Sequence, residues 1–256
     1  MKRRQLIRYG GASLLAASGT ILTSRLNPSQ AQTGGSLSIK WLGHTCFLFS
    51  GGGMQVLVNP FKALGCTAGY QPPKVGADLV LISSFLLDEG SAEGLPGNPK
   101  VLYEAGAFEF QGKEFQGIGI DHDRKGGRQF GTNVAWRWTQ AGVRILHLGG
   151  AAAPIDIEQK ILIGRPDVAL IPVGGGEKAY NAQEAKKAMD VLNPKLVIPT
   201  HYRTSKADAN NCDIAPVDEF LTTTEGTSVS RVGSSTITVS PGNLPQNGPV
   251  IRVMSY

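Results

Sequence analysis

The chain carries four histidines: His44 in WLGHTCFLF, His122 in GIGIDHD, His147 in RILHLGG and His201 in VIPTHY. Imidazole can ligate a metal, carry a proton or orient a polar substrate near neutral pH. Each of the four stands at or just beyond a β-rich run, and strand ends at a sheet edge are where α/β proteins gather their chemistry. Asp88 and Glu89 are adjacent carboxylates in SSFLLDEG. Such a pair can do acid–base work, but two neighbouring acids in a loop are as a rule solvated, and their local context gives that reading. Ser84 in the same stretch lies in no G-x-S-x-G elbow, and no aspartate partner for a histidine base is evident, so it is not read as a nucleophile. Gly174-Gly175-Gly176 lacks the Lys-Ser/Thr of a phosphate loop and the spacing of a dinucleotide fingerprint.

The elements that must position these residues are legible from pattern. From Leu37 the chain runs LSIKWL, CFLFS, MQVLVNP and DLVLIS, short β-rich stretches punctuated by Gly, Pro and Asn, which predicts strands. EFQGIGI, NVAWRWT and VRILHL follow. Val134, Trp136 and Trp138 alternate with Ala135, Arg137 and Thr139, placing two indoles on one strand face, where they are expected to pack against a helix. DVALIPV, a helical stretch and KLVIPT then form the strand–helix–strand pattern of α/β layers. Asn181 caps that helix, Glu184 completes a capping box, Ala185, Ala188, Met189 and Leu192 mark its buried face, and Asn193-Pro194 stops it. Helix is also expected near Pro154 to Ile163 and Ala215 to Leu221. No stretch between Gln32 and Tyr256 reads as a linker, so residues 32–256 are expected to form one domain.

The formal charge of +5 is concentrated at the start of the chain. Residues 1–31 hold Lys2, Arg3, Arg4, Arg8 and Arg25, no acid, and a Gly/Ala-rich apolar run that begins at Tyr9. This reads as a cleaved signal peptide. KRRQLIR resembles the twin-arginine export motif, and Ser29-Gln30-Ala31 is a small-residue cleavage site. The run is too short and too diluted for a membrane span, which takes about 20 apolar residues. Its removal leaves 20 basic against 20 acidic residues, so the basic pI is no argument for nucleic acid. The expected location is the periplasm or thylakoid lumen. Cys46, Cys66 and Cys212 allow one disulfide there with one thiol left over, the pairing being open, and none lies in a C-x-x-C zinc or redox motif.

Taken in order, WLGHTCFLF, VLVNPF, DLVLISSFLLDEG, GIGIDHD, ILHLGG and PVGGGEKAYNAQEAKKAMDVLNPKLVIPTHY resemble the metallo-β-lactamase superfamily, in particular its L-ascorbate-6-phosphate lactonase-like branch. The resemblance implies a four-layer αββα sandwich. It also implies an H-x-H-x-D-H signature after DLVLIS, holding two metals about 4 Å apart whose bridging hydroxide attacks a lactone, phosphoester or amide. Here the signature histidines correspond to Ser84, Leu86 and Glu89, and Asp88 alone is kept. His147 matches the next ligand, Gly150 stands where a bridging aspartate is expected, and Asn59 where an aspartate is common. One metal position thus retains only His147, whereas zinc takes about three protein ligands. The other retains Asp88 and His201, with Glu89 as a substitute.

The leading expectation is accordingly a pseudoenzyme of this fold with no cofactor, or at most one weakly held divalent ion (Zn, Mn or Fe) at Asp88, Glu89, His147 or His201. Its ligand would be a small anion or an exported protein partner, with His44 and His122 structural or substrate-orienting. The alternative is a mononuclear metal-dependent hydrolase of a phosphoester or lactone. A third reading is a structural subunit of an exported assembly.

Overall fold

A computed structural model describes residues 35–207 and 210–256. The expected signal peptide and its cleavage site lie outside the described residues. In chain order the strands are β1 Leu37–Gly43, β2 Cys46–Gly51, β3 Met54–Val58, β4 Leu79–Leu81, β5 Lys100–Leu102, β6 Gly106–Phe110, β7 Lys113–Asp121, β8 Thr132–Gln140, β9 Val143–His147, β10 Val168–Pro172, β11 Leu196–Thr200, β12 Ser228–Arg231, β13 Thr236–Val239 and β14 Val250–Val253. The helices are α1 Ile157–Ile163, α2 Ala182–Leu192 and α3 Val217–Thr223.

Two sheets result, in the orders β13-β1-β2-β3-β4-β5 and β12-β14-β11-β10-β9-β8-β7-β6. Their inner faces meet in one core. Phe49 of β2 packs its ring edge-on to Trp138 of β8 at 4.9 Å, and the Trp136 indole N–H donates to the Ile82 carbonyl at 3.0 Å. The Gln140 amide donates to the carbonyls of Gly51 and Met54 at 3.0 and 2.8 Å, tying the sheets at one edge. The two indoles therefore fill the space between the sheets, and the expectation that they face a helix is corrected. A helix would not cover them because β8 turns its alternate residues towards the opposite sheet.

All five residues of β10 and all five of β11 are buried, as befits parallel strands covered on both sides. Here α2 packs on β10, α1 on β7 and α3 on α2. The α2 capping box forms as expected between Asn181 and Glu184, and Asn193 ends the helix in a left-handed conformation. Asp156 and Gln159 cap α1 in the same way. The layered α/β sandwich is that of the metallo-β-lactamase fold, with one departure from the expected αββα order. The outer face of the six-stranded sheet (Cys46, Leu57, Val80, Ile82) is covered by Phe61, Tyr70, Val75, Ala77, Ala92 and Leu95. These come from segments 59–78 and 82–99, which contain no α-helix. Those segments are rich in Gly and Pro and carry no apolar repeat of helical period, so the layer forms from loops.

Candidate active site

The loops after β1, β7 and β11 carry His44, His122 and His201, and β9 itself ends on His147. His44 and His201 adopt left-handed backbone conformations, with φ of 52° and 50°, a geometry that costs non-glycine residues energy and clusters at functional sites. Gly174 makes the tight return possible: a Cβ there would lie 2.2 Å from the His201 carbonyl oxygen.

His44, Asp88, Lys178 and His201 line a cleft of about 250 Å³, with Cys66, Phe130 and Ile214 among its walls. The His44 and His201 rings lie 4.3 Å apart, centre to centre. Lys178 donates to Asp88 Oδ2 at 2.6 Å, and His44 Nε2 stands 3.9 Å from the same oxygen. Burial raises the Asp88 carboxyl, but the Lys178 ammonium, His44 and hydrogen bonds more than offset it, and the group ends below the usual carboxylate range. Burial lowers His44 to about 4, against the opposing pull of Asp88. His201 is also well below its ordinary value, through burial first and then the neighbouring His44 and Lys178. Both rings are neutral at pH 7, so the contact between His44 and Asp88 is not an ion pair there.

Behind this group lies a second one. Ser84 Oγ donates to Glu89 Oε1 at 2.7 Å, and His122 Nε2 approaches that oxygen to 3.2 Å. Glu89 is 1% exposed, which corrects the solvated-loop reading of this acidic pair. Desolvation, and then the charge of Asp88, push Glu89 up to about 7. Burial lowers His122 to about 4. His44 Nε2, His201 Nδ1, both ring nitrogens of His122 and Glu89 Oε2 are buried without hydrogen-bond partners. His44 thus stands beside Asp88 and His122 beside Glu89.

His147 does not join it. Its Nδ1 accepts from the Gly149 N–H at 3.0 Å and its Nε2 meets the Thr45 carbonyl at 2.9 Å. With burial holding it neutral at about 4, both nitrogens are occupied by backbone, and the ligand role expected of it has no free lone pair.

These donors do not fit the metal that the resemblance implies. Asp88 is committed to Lys178, Glu89 to Ser84 with His122 close by, and Leu86 has nothing to donate. The position of the expected bridging carboxylate is also blocked, since a Cβ on Gly150 would lie 2.8 Å from His122 Nε2 and 3.1 Å from Glu89 Oε1. Among the described residues, no group of three or more His, Cys, Asp or Glu is placed to hold a metal ion.

The sequence reading missed Lys178, taking its GGGEKAY segment as an ordinary turn. The available signal was a cation in the loop after β10, which opens at the same edge as the histidine loops. It also missed Arg124, whose guanidinium binds both carboxylate oxygens of Glu184 at 2.8 and 2.6 Å and the carbonyls of Gly176 and Ala179 at 2.9 and 2.8 Å. Asp123 orders the loop after it, accepting from the backbone N–H groups of Lys125, Gly127, Gln129 and Phe130. Cys66 and Cys212 form the disulfide, and Cys46 is the buried free thiol.

Residues 38–201 match the family model of the β-lactamase superfamily domain. A protein of Methanoregula boonei named as a metal-dependent hydrolase is 31% identical over 201 residues, 68% of this chain and 87% of its own length. Another so named, from Methanoculleus marisnigri, is 29% identical over 83% of this chain and 98% of its own. A crystal structure of a candidate Zn-dependent hydrolase of the metallo-β-lactamase superfamily from Thermotoga maritima superposes with a TM-score of 0.68 at 28% identity, covering 86% of this chain and all of that one.

Proposed function

We propose, since the chain belongs to the metallo-β-lactamase superfamily, that it is a hydrolase acting in this cleft on a small anionic substrate, a phosphoester or a lactone. Kinship with proteins named as metal-dependent hydrolases supports this over a purely binding role. The observation that carries it is the set of buried, unpartnered nitrogens of His44, His122 and His201, with His44 beside Asp88 and His122 beside Glu89. Leaving a buried polar atom unpaired costs about 1–3 kcal/mol, and a cluster of them is accounted for by a polar substrate that satisfies them.

In a full two-metal centre the ions make hydroxide and absorb the charge of the transition state. The donors here do not compose that centre, so roles follow from the chain's own groups. Lys178, with 26% of its side chain exposed, meets the anionic group. Neutral His44 and His201 orient the substrate as donor or acceptor, according to tautomer. Glu89 keeps its proton up to about pH 7 beside His122 and can give or take one there.

Turnover of chromogenic phosphodiesters and lactones by the purified protein, before and after chelation, tests this reading. Activity should fall by about 100-fold or more in Asp88→Ala and His201→Ala. Absence of turnover on either class overturns it. The second reading, an anion-binding protein without turnover, is favoured specifically by Leu86 at a ligand position and by the Lys178–Asp88 pair. Saturable phosphate binding without hydrolysis would establish it.

The proposed location is outside the cytoplasm. The Cys66–Cys212 disulfide supports it, since such bonds persist in oxidising compartments. A mature N-terminus at Gln32, read by mass spectrometry of the protein in its native host, is the expected result.

A further inference from the structure

We infer that the Lys178 ammonium is the resident cation of this cleft and excludes a divalent ion from Asp88. The inference concerns the same cleft as the hydrolase reading but is read through metal affinity, so either can fail without the other. Asp88 is the one residue of the H-x-H-x-D-H signature that this chain keeps, and the shortest side-chain contact it makes is with Lys178 Nζ, at 2.6 Å. The lysine is not left to swing. Its turn is held on both sides by Arg124, which donates to the carbonyls of Gly176 and Ala179 and is itself clamped on Glu184. Immediately beyond, Asn181 caps α2. The ammonium is thus delivered by a turn fixed to a helix N-terminus and to the loop that Asp123 orders.

A dication at Asp88 would have to displace this pair or sit beside a like charge in a largely buried cleft, where repulsion is poorly screened. The second position offers no escape. His122 and Glu89 fill the space beside Gly150, and Glu89 is engaged by Ser84. Lys178 neutralises Asp88 as a metal would, but an ammonium only donates hydrogen bonds and offers no coordination site at which a bound water is acidified. The cleft therefore keeps the electrostatic balance of its family without that family's coordination chemistry.

Calorimetric zinc titration of the purified wild-type protein, Lys178→Met and Lys178→Arg tests this, with folding checked by near-ultraviolet circular dichroism. Lys178→Met should bind zinc about tenfold or more tightly than wild type, Lys178→Arg should behave as wild type, and adding Asp88→Asn to Lys178→Met should abolish the gain. Equal affinity in wild type and Lys178→Met overturns the inference, as does a gain that survives Asp88→Asn. If Lys178→Met does not fold, Lys178→Thr takes its place. Tight zinc binding by the wild-type protein that Asp88→Asn removes overturns the inference without any lysine variant.

Discussion

Glu89 and His147 show how differently two buried titratable groups can serve the same molecule. Glu89 sits in a dry pocket beside a carboxylate, so its folded-state value, about 7, lies above the ordinary 4.5. The native state holds this proton more tightly than the unfolded chain. Stability from Glu89 is therefore full below about pH 4.5, falls as pH rises towards 7, and stays lost above it. Glu89→Gln should remove this dependence, raising stability at pH 8 relative to wild type by roughly 1–3 kcal/mol while changing little at pH 4. Urea denaturation of both proteins at the two pH values is the check, and an equal effect at both would contradict the assignment. His147 has spent both nitrogens on backbone. His147→Ala should cost about 3 kcal/mol of stability, by leaving a buried carbonyl and a buried N–H unpaired and opening a cavity. The melting temperature, compared with zinc affinity, distinguishes this from a ligand role: the first should drop and the second should not move.

Among the elements, α2 and the turn before it matter most, because they aim Lys178. Asn181→Ala removes the acceptor for the Glu184 N–H and should destabilise the protein by about 1 kcal/mol, measurable by thermal or denaturant unfolding. This helix was legible in full, since a cap, a capping box, an apolar stripe and an Asn-Pro stop all agreed. The nine strands carrying dense β-branched and aromatic runs were legible too. β5, β6, β12, β13 and β14 were not, because the first four are sheet edges and β14 lies beside one, and they take their pairing from neighbours rather than from a dense apolar run of their own. The direction faced by Trp136 and Trp138 was hidden for a related reason: alternation shows that residues share a face but does not say what lies opposite. Loop contacts were the least legible. Asp88 and Glu89 look solvated in a string of letters, and only the fold brings Lys178 from 90 positions away to one of them and buries the other.

At the scale of the whole molecule, the Cys66–Cys212 bond spans 146 residues, and Cys66 lies in the cleft wall. In the chain-entropy description, closing a loop of that length stabilises the fold by about 5 kcal/mol. Reduction should therefore lower the unfolding midpoint markedly, while Cys46, buried and with its thiol pushed up by desolvation, stays unreactive until the protein unfolds. Mass spectrometry after thiol labelling under native conditions would register this as no labelling without reductant. The two sheets, their core and the helix layer reproduce the family's scaffold around a centre in which a lysine, a carboxylate and neutral histidines stand where metal ligands are expected. The most direct measurement is an anomalous difference map at the zinc edge from crystals of the wild-type protein grown with zinc. No peak in the cleft is expected, with Lys178 remaining on Asp88, whereas a zinc peak on Asp88, alone or with a second beside it, would contradict the assignment.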